Sequence, residues 1–94
     1  MEEIIELTLD SADGTIDCRL ELADAGNTHH YSATILYPAT VNGYSRSEIY
    51  CYNLLQTETG SYVFDSLDDI HPKIKKLEQQ LSKAIKKSLL SGKN

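Results

Sequence analysis

Apolar and polar residues alternate strictly near the start of the chain. Ile5, Leu7 and Leu9 are interleaved with Glu6, Thr8 and Asp10; Ile16, Cys18, Leu20 and Leu22 are interleaved with Asp17, Arg19 and Glu21. A period of two places one set of side chains on each face of a strand, so the pattern predicts two half-buried strands over about 3–10 and 15–22. Asp13-Gly14 lies between them, a dipeptide suited to a tight hairpin turn. Centring the turn there sets Leu9 against Cys18, Leu7 against Leu20 and Ile5 against Leu22. The same register sets Glu6 against Glu21 and Asp10 against Asp17 on the opposite face, an acidic ladder relieved only in part by Arg19.

Residues 23–27 read as a loop, after which the alternation resumes. Tyr31, Ala33, Ile35 and Tyr37 share one face of a strand over about 28–37, and Tyr50, Tyr52 and Leu54 share one face of another over about 48–55. Asn42-Gly43 lies midway, and folding about it pairs Ile35 with Tyr50, Ala33 with Tyr52 and Tyr31 with Leu54. On the reverse face the same fold pairs Leu36 with Ile49 and Thr34 with Cys51. Pro38 cannot donate to a ladder, so the ribbon from 38 to 47 is expected to be loosely tied, or Pro38 to sit on an edge. A short fifth strand over 61–65 follows, with Tyr62 set against Leu54 and Phe64 against Tyr52.

From Asp69 onward the period changes. Ile70, Ile74, Leu77, Leu81, Ala84, Ile85 and Leu89 form one stripe at helical spacing, which predicts a helix over about 69–91. Ser66 or Asp68 is expected to cap it, Pro72 fits its first turn and Gly92 its stop. These elements make a single α+β domain over 1–94: a five-stranded antiparallel sheet, two hairpins plus a short fifth strand, with one C-terminal amphipathic helix packed on one face.

The 94 residues suit one domain, and the 40% hydrophobic content argues against disorder. No apolar run is long enough for a transmembrane helix, and acids stand at the start where a signal peptide has basic residues. With only two cysteines, Cys18 and Cys51, this implies a cytoplasmic protein. The net charge of −5 is unevenly spread. Residues 1–70 carry two arginines against thirteen acids, and residues 71–94 carry seven lysines against Glu78 alone. Part of that asymmetry suits the dipole of a C-terminal helix.

Candidate chemistry is sparse. His29 and His30 are adjacent on a strand and point to opposite faces, and the cysteines are far apart, so no metal set is expected. Cys18 reads as a small core residue, and Cys51 falls on the other face with no basic neighbour to activate it. There is no phosphate-binding loop, carboxylate pair or nucleophile motif, and the six tyrosines fit sheet core better than a ligand pocket. The chain is therefore expected to be non-enzymatic and without a cofactor. The leading expectation is a self-associating or adaptor-like protein that meets a second copy or another protein. Its contacts would come from the uncovered sheet face at Leu36, Ile49 and Cys51 and from the ribbon tip at Val41, Tyr44 and Arg46. The alternative is a nucleic-acid-linked role. Either Lys76, Lys83 and Lys87 on one helix flank bind phosphates, or Glu6, Asp10, Asp17 and Glu21 imitate nucleic acid toward a basic protein.

Overall fold

The structure, a computed structural model, describes residues 4–25, 28–65 and 69–91. Five strands form one antiparallel sheet in sequence order: β1 (Ile4–Ser11), β2 (Gly14–Ala25), β3 (Thr28–Val41), β4 (Tyr44–Gln56) and β5 (Tyr62–Phe64). Two helices follow, α1 (Pro72–Lys75) and α2 (Glu78–Ser91). The fold is α+β, as the periodicities predict. α2 lies against both edge strands, β5 and β1, so the sheet curls around it. Ile16, Leu20, Tyr31, Ala33, Ile35, Leu54, Ile74, Leu81 and Ile85 are fully buried between the layers.

The first hairpin has a different register from the one expected. Ser11 pairs with Gly14 around Ala12-Asp13, so Leu9 faces Ile16, Leu7 faces Cys18 and Ile5 faces Leu20. Turn chemistry decides this. The Ser11 hydroxyl accepts from the Asp13 N–H at 3.2 Å and donates to the Gly14 carbonyl at 2.8 Å, while Gly14 takes φ +128° beyond the turn. A slip of two residues keeps every side chain on its face, so the apolar pattern cannot distinguish the two registers. The acids can. Glu6 now faces Arg19, Asp17 faces Thr8, Asp10 faces Thr15 and Glu21 faces Ile4, which removes the expected Glu6–Glu21 and Asp10–Asp17 oppositions.

The second hairpin matches its expected register throughout, including Leu36 with Ile49 and Thr34 with Cys51. Its strands are longer than expected, and so is β2. Pairing runs without a bulge to Val41 and Tyr44 around a two-residue turn in which Asn42 has φ 53° and Gly43 φ 79°. The expected loose ribbon is instead regular. Because β2 pairs with β3 only as far as Leu36, the segment beyond Tyr37 and Glu48 projects as a two-stranded arm. At the other end of β2, Ala25 pairs with Thr28, so strand continues into the expected loop; Gly26 and Asn27 lie outside the described residues.

Strand β5 also starts pairing two residues earlier than expected: Tyr62 faces Gln56 and Phe64 faces Leu54. The cause is a tight turn. The Thr57 N–H donates to the Ser61 carbonyl at 2.7 Å, the Gly60 N–H donates to the Thr57 carbonyl at 3.0 Å, and Gly60 has φ 86°. On its far side, β5 is stapled to α2 by side chains one helical turn apart. The Tyr62 N–H donates to Ser82 Oγ at 2.9 Å, and the Phe64 N–H donates to Glu78 Oε2 at 2.8 Å. Lys75 Nζ completes the group, 2.8 Å from the same carboxylate oxygen.

The single expected helix is broken at Lys76–Leu77. There the Leu77 N–H reaches the Ile74 carbonyl three residues back at 2.9 Å, a tighter step than an α-helix makes. Ile74, Leu77, Leu81 and Ile85 are still all buried. His71 is the cap, its Nδ1 accepting from the Lys73 N–H at 3.2 Å, with Pro72 at the first helical position. The expected caps Ser66 and Asp68 and the stop Gly92 lie outside the described residues, as does the Leu89 side chain.

Candidate interaction surface

Reading the registers across the sheet gives the composition of the face away from the helix. One cross-strand row is Thr8, Asp17, Leu36 and Ile49; the next is Glu6, Arg19, Thr34 and Cys51; the third is Ile4, Glu21, Ser32 and Asn53. Leu36, Ile49 and Cys51 therefore form one apolar island. Acids and Arg19 border it toward β1, and it opens at the β4 edge. Ile49 is 67% exposed and Cys51 is exposed, while Leu36 is half-buried between its neighbours. Strand alternation accounts for this placement: with Ile35, Tyr50 and Tyr52 facing the helix layer, residues 36, 49 and 51 must face away.

The arm exposes further residues on its other face, the helix side. Val41 and Tyr44 close it opposite one another at 42% and 77% exposure, and Arg46 is exposed opposite Ala39. On the helix side of the arm lies a groove of about 470 Å³ whose polar lining includes Asp13, Thr40, Arg46, Glu48 and Lys73. The Tyr37 hydroxyl donates to Asp13 Oδ2 at 2.8 Å, which holds its proton above the usual phenol range, with burial adding to the effect. Lys73 Nζ sits 5.5 Å from the centre of the Tyr37 ring. Tyr50, stacked on Tyr52 at 6.2 Å between ring centres, is also shifted upward, by burial and then by Glu48. This groove mixes both signs of charge.

The two thiols sit in opposite environments. Cys18 is buried between Leu7 and Ile35, where burial and the neighbouring Asp17 push its pKa up to about 11. Cys51 is exposed on the far face, and the two form no disulfide. Of the tyrosines, Tyr31, Tyr37 and Tyr62 are core, Tyr50 and Tyr52 half-buried, and Tyr44 fully at the surface.

The charged candidates do not gather into one site. Lys76, Lys83 and Lys87 are exposed along the helices; Lys83 lines a shallow groove between α2 and β5, where neighbouring Lys86 reaches the Ser61 hydroxyl at 3.1 Å. Arg19 lies among the acids Glu6, Asp17 and Glu21 and pairs with Glu21 at 3.3 Å. Sequence reasoning missed two features: the Ser82 and Glu78 staple, and the length of β4 left without a strand on its outer side. The first was visible only as polar residues beside the helix stripe. No helix among the described residues is long and apolar enough to cross a membrane. No protein-family model matches the chain, and neither a curated protein nor a solved structure gives a match.

Proposed function

We propose that this is a small cytoplasmic, non-enzymatic protein that works by association, joining with a second copy or another protein through the sheet face away from the helix and the arm beside it. The observation behind this reading is the exposure of Ile49 next to Leu36 and Cys51; Val41 and Tyr44 at the tip of the arm are exposed on the other face. Large aliphatics that the helix does not need gain nothing in water, whereas under a partner each contributes on the order of 1.5–3 kcal/mol of burial. The free thiols of Cys18 and Cys51 suit a reducing compartment. The nucleic-acid reading has weaker support, because Arg19 interrupts the acidic face and the sequence from Lys76 to Lys87 contains no arginine or aromatic residue.

The test is the double variant Leu36→Lys with Ile49→Lys, examined by sedimentation equilibrium and circular dichroism. The folded variant is expected to be monomeric where the wild type associates. Loss of folding would place the pair in the core and refute the reading, as would a folded variant with unchanged association. Titration with nucleic acid at two salt concentrations checks the alternative, since phosphate contacts give a steep salt dependence.

A further inference from the structure

Not all edges of this sheet are equally open. Exposed strand edges invite pairing, and proteins usually blunt them. The β5 edge is occupied by Ser82 and Glu78, which take the N–H groups of Tyr62 and Phe64. The β1 edge carries Glu6 and Asp10, which would meet as like charges if two copies paired antiparallel about Thr8. On the arm, Val41 and Tyr44 flank the two-residue turn and exchange bonds with each other, so on β3 the free groups of the arm belong to residues 38 and 40. One of these is Pro38, which has no N–H and whose ring packs 3.4 Å from the Cβ position of Gly14.

The β4 edge has none of these devices. β5 pairs with β4 only at residues 54–56, so among the described residues no strand lies on the side of β4 away from β3 from Tyr44 to Tyr52. The Asn53 carbonyl accepts from the Asp65 N–H at 2.9 Å, which shows that odd-numbered residues of β4 direct their backbone groups to this side. The β3–β4 register has no bulge, so Ser45, Ser47 and Ile49 do the same. The apolar island opens at this edge too.

We infer that β4 pairs antiparallel with β4 of a second copy about a two-fold axis at Ser47, joining two sheets into one. The side chains select that register. With Ser47 opposite Ser47, Arg46 of each chain faces Glu48 of the other, and exposed Tyr44 faces Tyr50; all four lie on the helix side of the sheet. Centring on Arg46 or on Glu48 instead opposes like charges. Ser45, Ser47 and Ile49 then each exchange N–H and C=O with the other chain, using groups that the single chain's ladder leaves outward. This inference deepens the proposed function and rests on its premise of self-association.

Sedimentation equilibrium under reducing conditions tests it on the full chain with three variants. Ser47→Pro removes an N–H that β3 does not use, so the monomer keeps its fold and melting behaviour while dimerisation is lost. Arg46→Glu sets two acids opposite each other twice per dimer and weakens association about tenfold or more. Adding Glu48→Arg to Arg46→Glu restores it. In a Cys51→Ser background, Ser47→Cys oxidises readily to a covalent dimer, because residues on the axis lie about 5.5 Å apart between Cα atoms, whereas Ile49→Cys does not. A dimer that survives Ser47→Pro, a charge swap that fails to rescue, or faster crosslinking at position 49 would overturn the β4 pairing. If Leu36→Lys with Ile49→Lys still abolished association in that case, the proposed function would stand without it. A wild type that stays monomeric would overturn the β4 pairing and the self-association it rests on, leaving only association with another protein.

Discussion

Replacing Ser82 with alanine removes one hydroxyl from the helix–sheet boundary and sets two opposing effects against each other. Ser82 is 7% exposed, and its oxygen is the acceptor for the Tyr62 N–H at 2.9 Å. Without it, that donor is left buried beside a methyl group, at a cost of about 1–3 kcal/mol. In the other direction, alanine is the better helix former by about 0.5 kcal/mol. The hydrogen bond should prevail, giving a net loss of about 0.5–2.5 kcal/mol, and a loss of 1.5 kcal/mol lowers Tm by roughly 6–12 °C in a domain of this size. Urea denaturation gives the stability, with Gln80→Ala as a control for propensity alone, since Gln80 is exposed on the same helix. Amide exchange at Tyr62 gives the local effect and should accelerate in Ser82→Ala. A variant as stable as wild type, with unchanged exchange at Tyr62, would show that the Ser82 bond contributes nothing to holding β5 on α2.

The other predictions concern the core and the thiols. Leu81→Ala, at a fully buried site, should cost about 3–5 kcal/mol, while Lys76→Ala should stay within about 0.5 kcal/mol of wild type by the same denaturation assay. At pH 8 a thiol reagent should modify Cys51 at once and Cys18 only after denaturant is added. Raising the pH deprotonates Cys18 near 9 in the unfolded chain but only near 11 in the folded one, so its contribution is intact below pH 9 and declines between 9 and 11, by about 2–3 kcal/mol in all. The stability difference between wild type and Cys18→Val should shift by that amount over that interval; a constant difference would count against the buried thiol.

How legible each element was depended on whether its signal was local. Asn42-Gly43 takes the positive φ values its turn requires, so the second hairpin could be registered to the residue. At the first hairpin Asp13-Gly14 looked equally strong, but the Ser11 hydroxyl binds both sides of a turn one residue earlier. Apolar spacing was blind to that two-residue slip, and the expected acidic ladder disappeared with it. The helix stripe located Leu81 and Ile85, yet the break at Leu77 leaves the stripe intact and so had no periodic signature. The surface candidates Leu36, Ile49, Val41 and Tyr44 followed from alternation. That β4 lacks a second neighbour along most of its length, on the side away from β3, depended on how short β5 is and where its turn closes, which is a property of the assembled sheet.

The strand order has a kinetic consequence. Each strand pairs with the next one in the chain, so every loop closure in the sheet is short and its entropic cost small. β-rich proteins fold slowly chiefly when their strands must find distant partners, and this one has no such search within its sheet. A growing chain can add strands one at a time from β1 onward. The exception is α2, which follows all five strands in the chain and touches both β5 and β1. Until it docks, Ile16, Leu20, Tyr31 and Ile35 have no layer above them, so the sheet is at its most aggregation-prone between the pairing of β5 and the docking of α2.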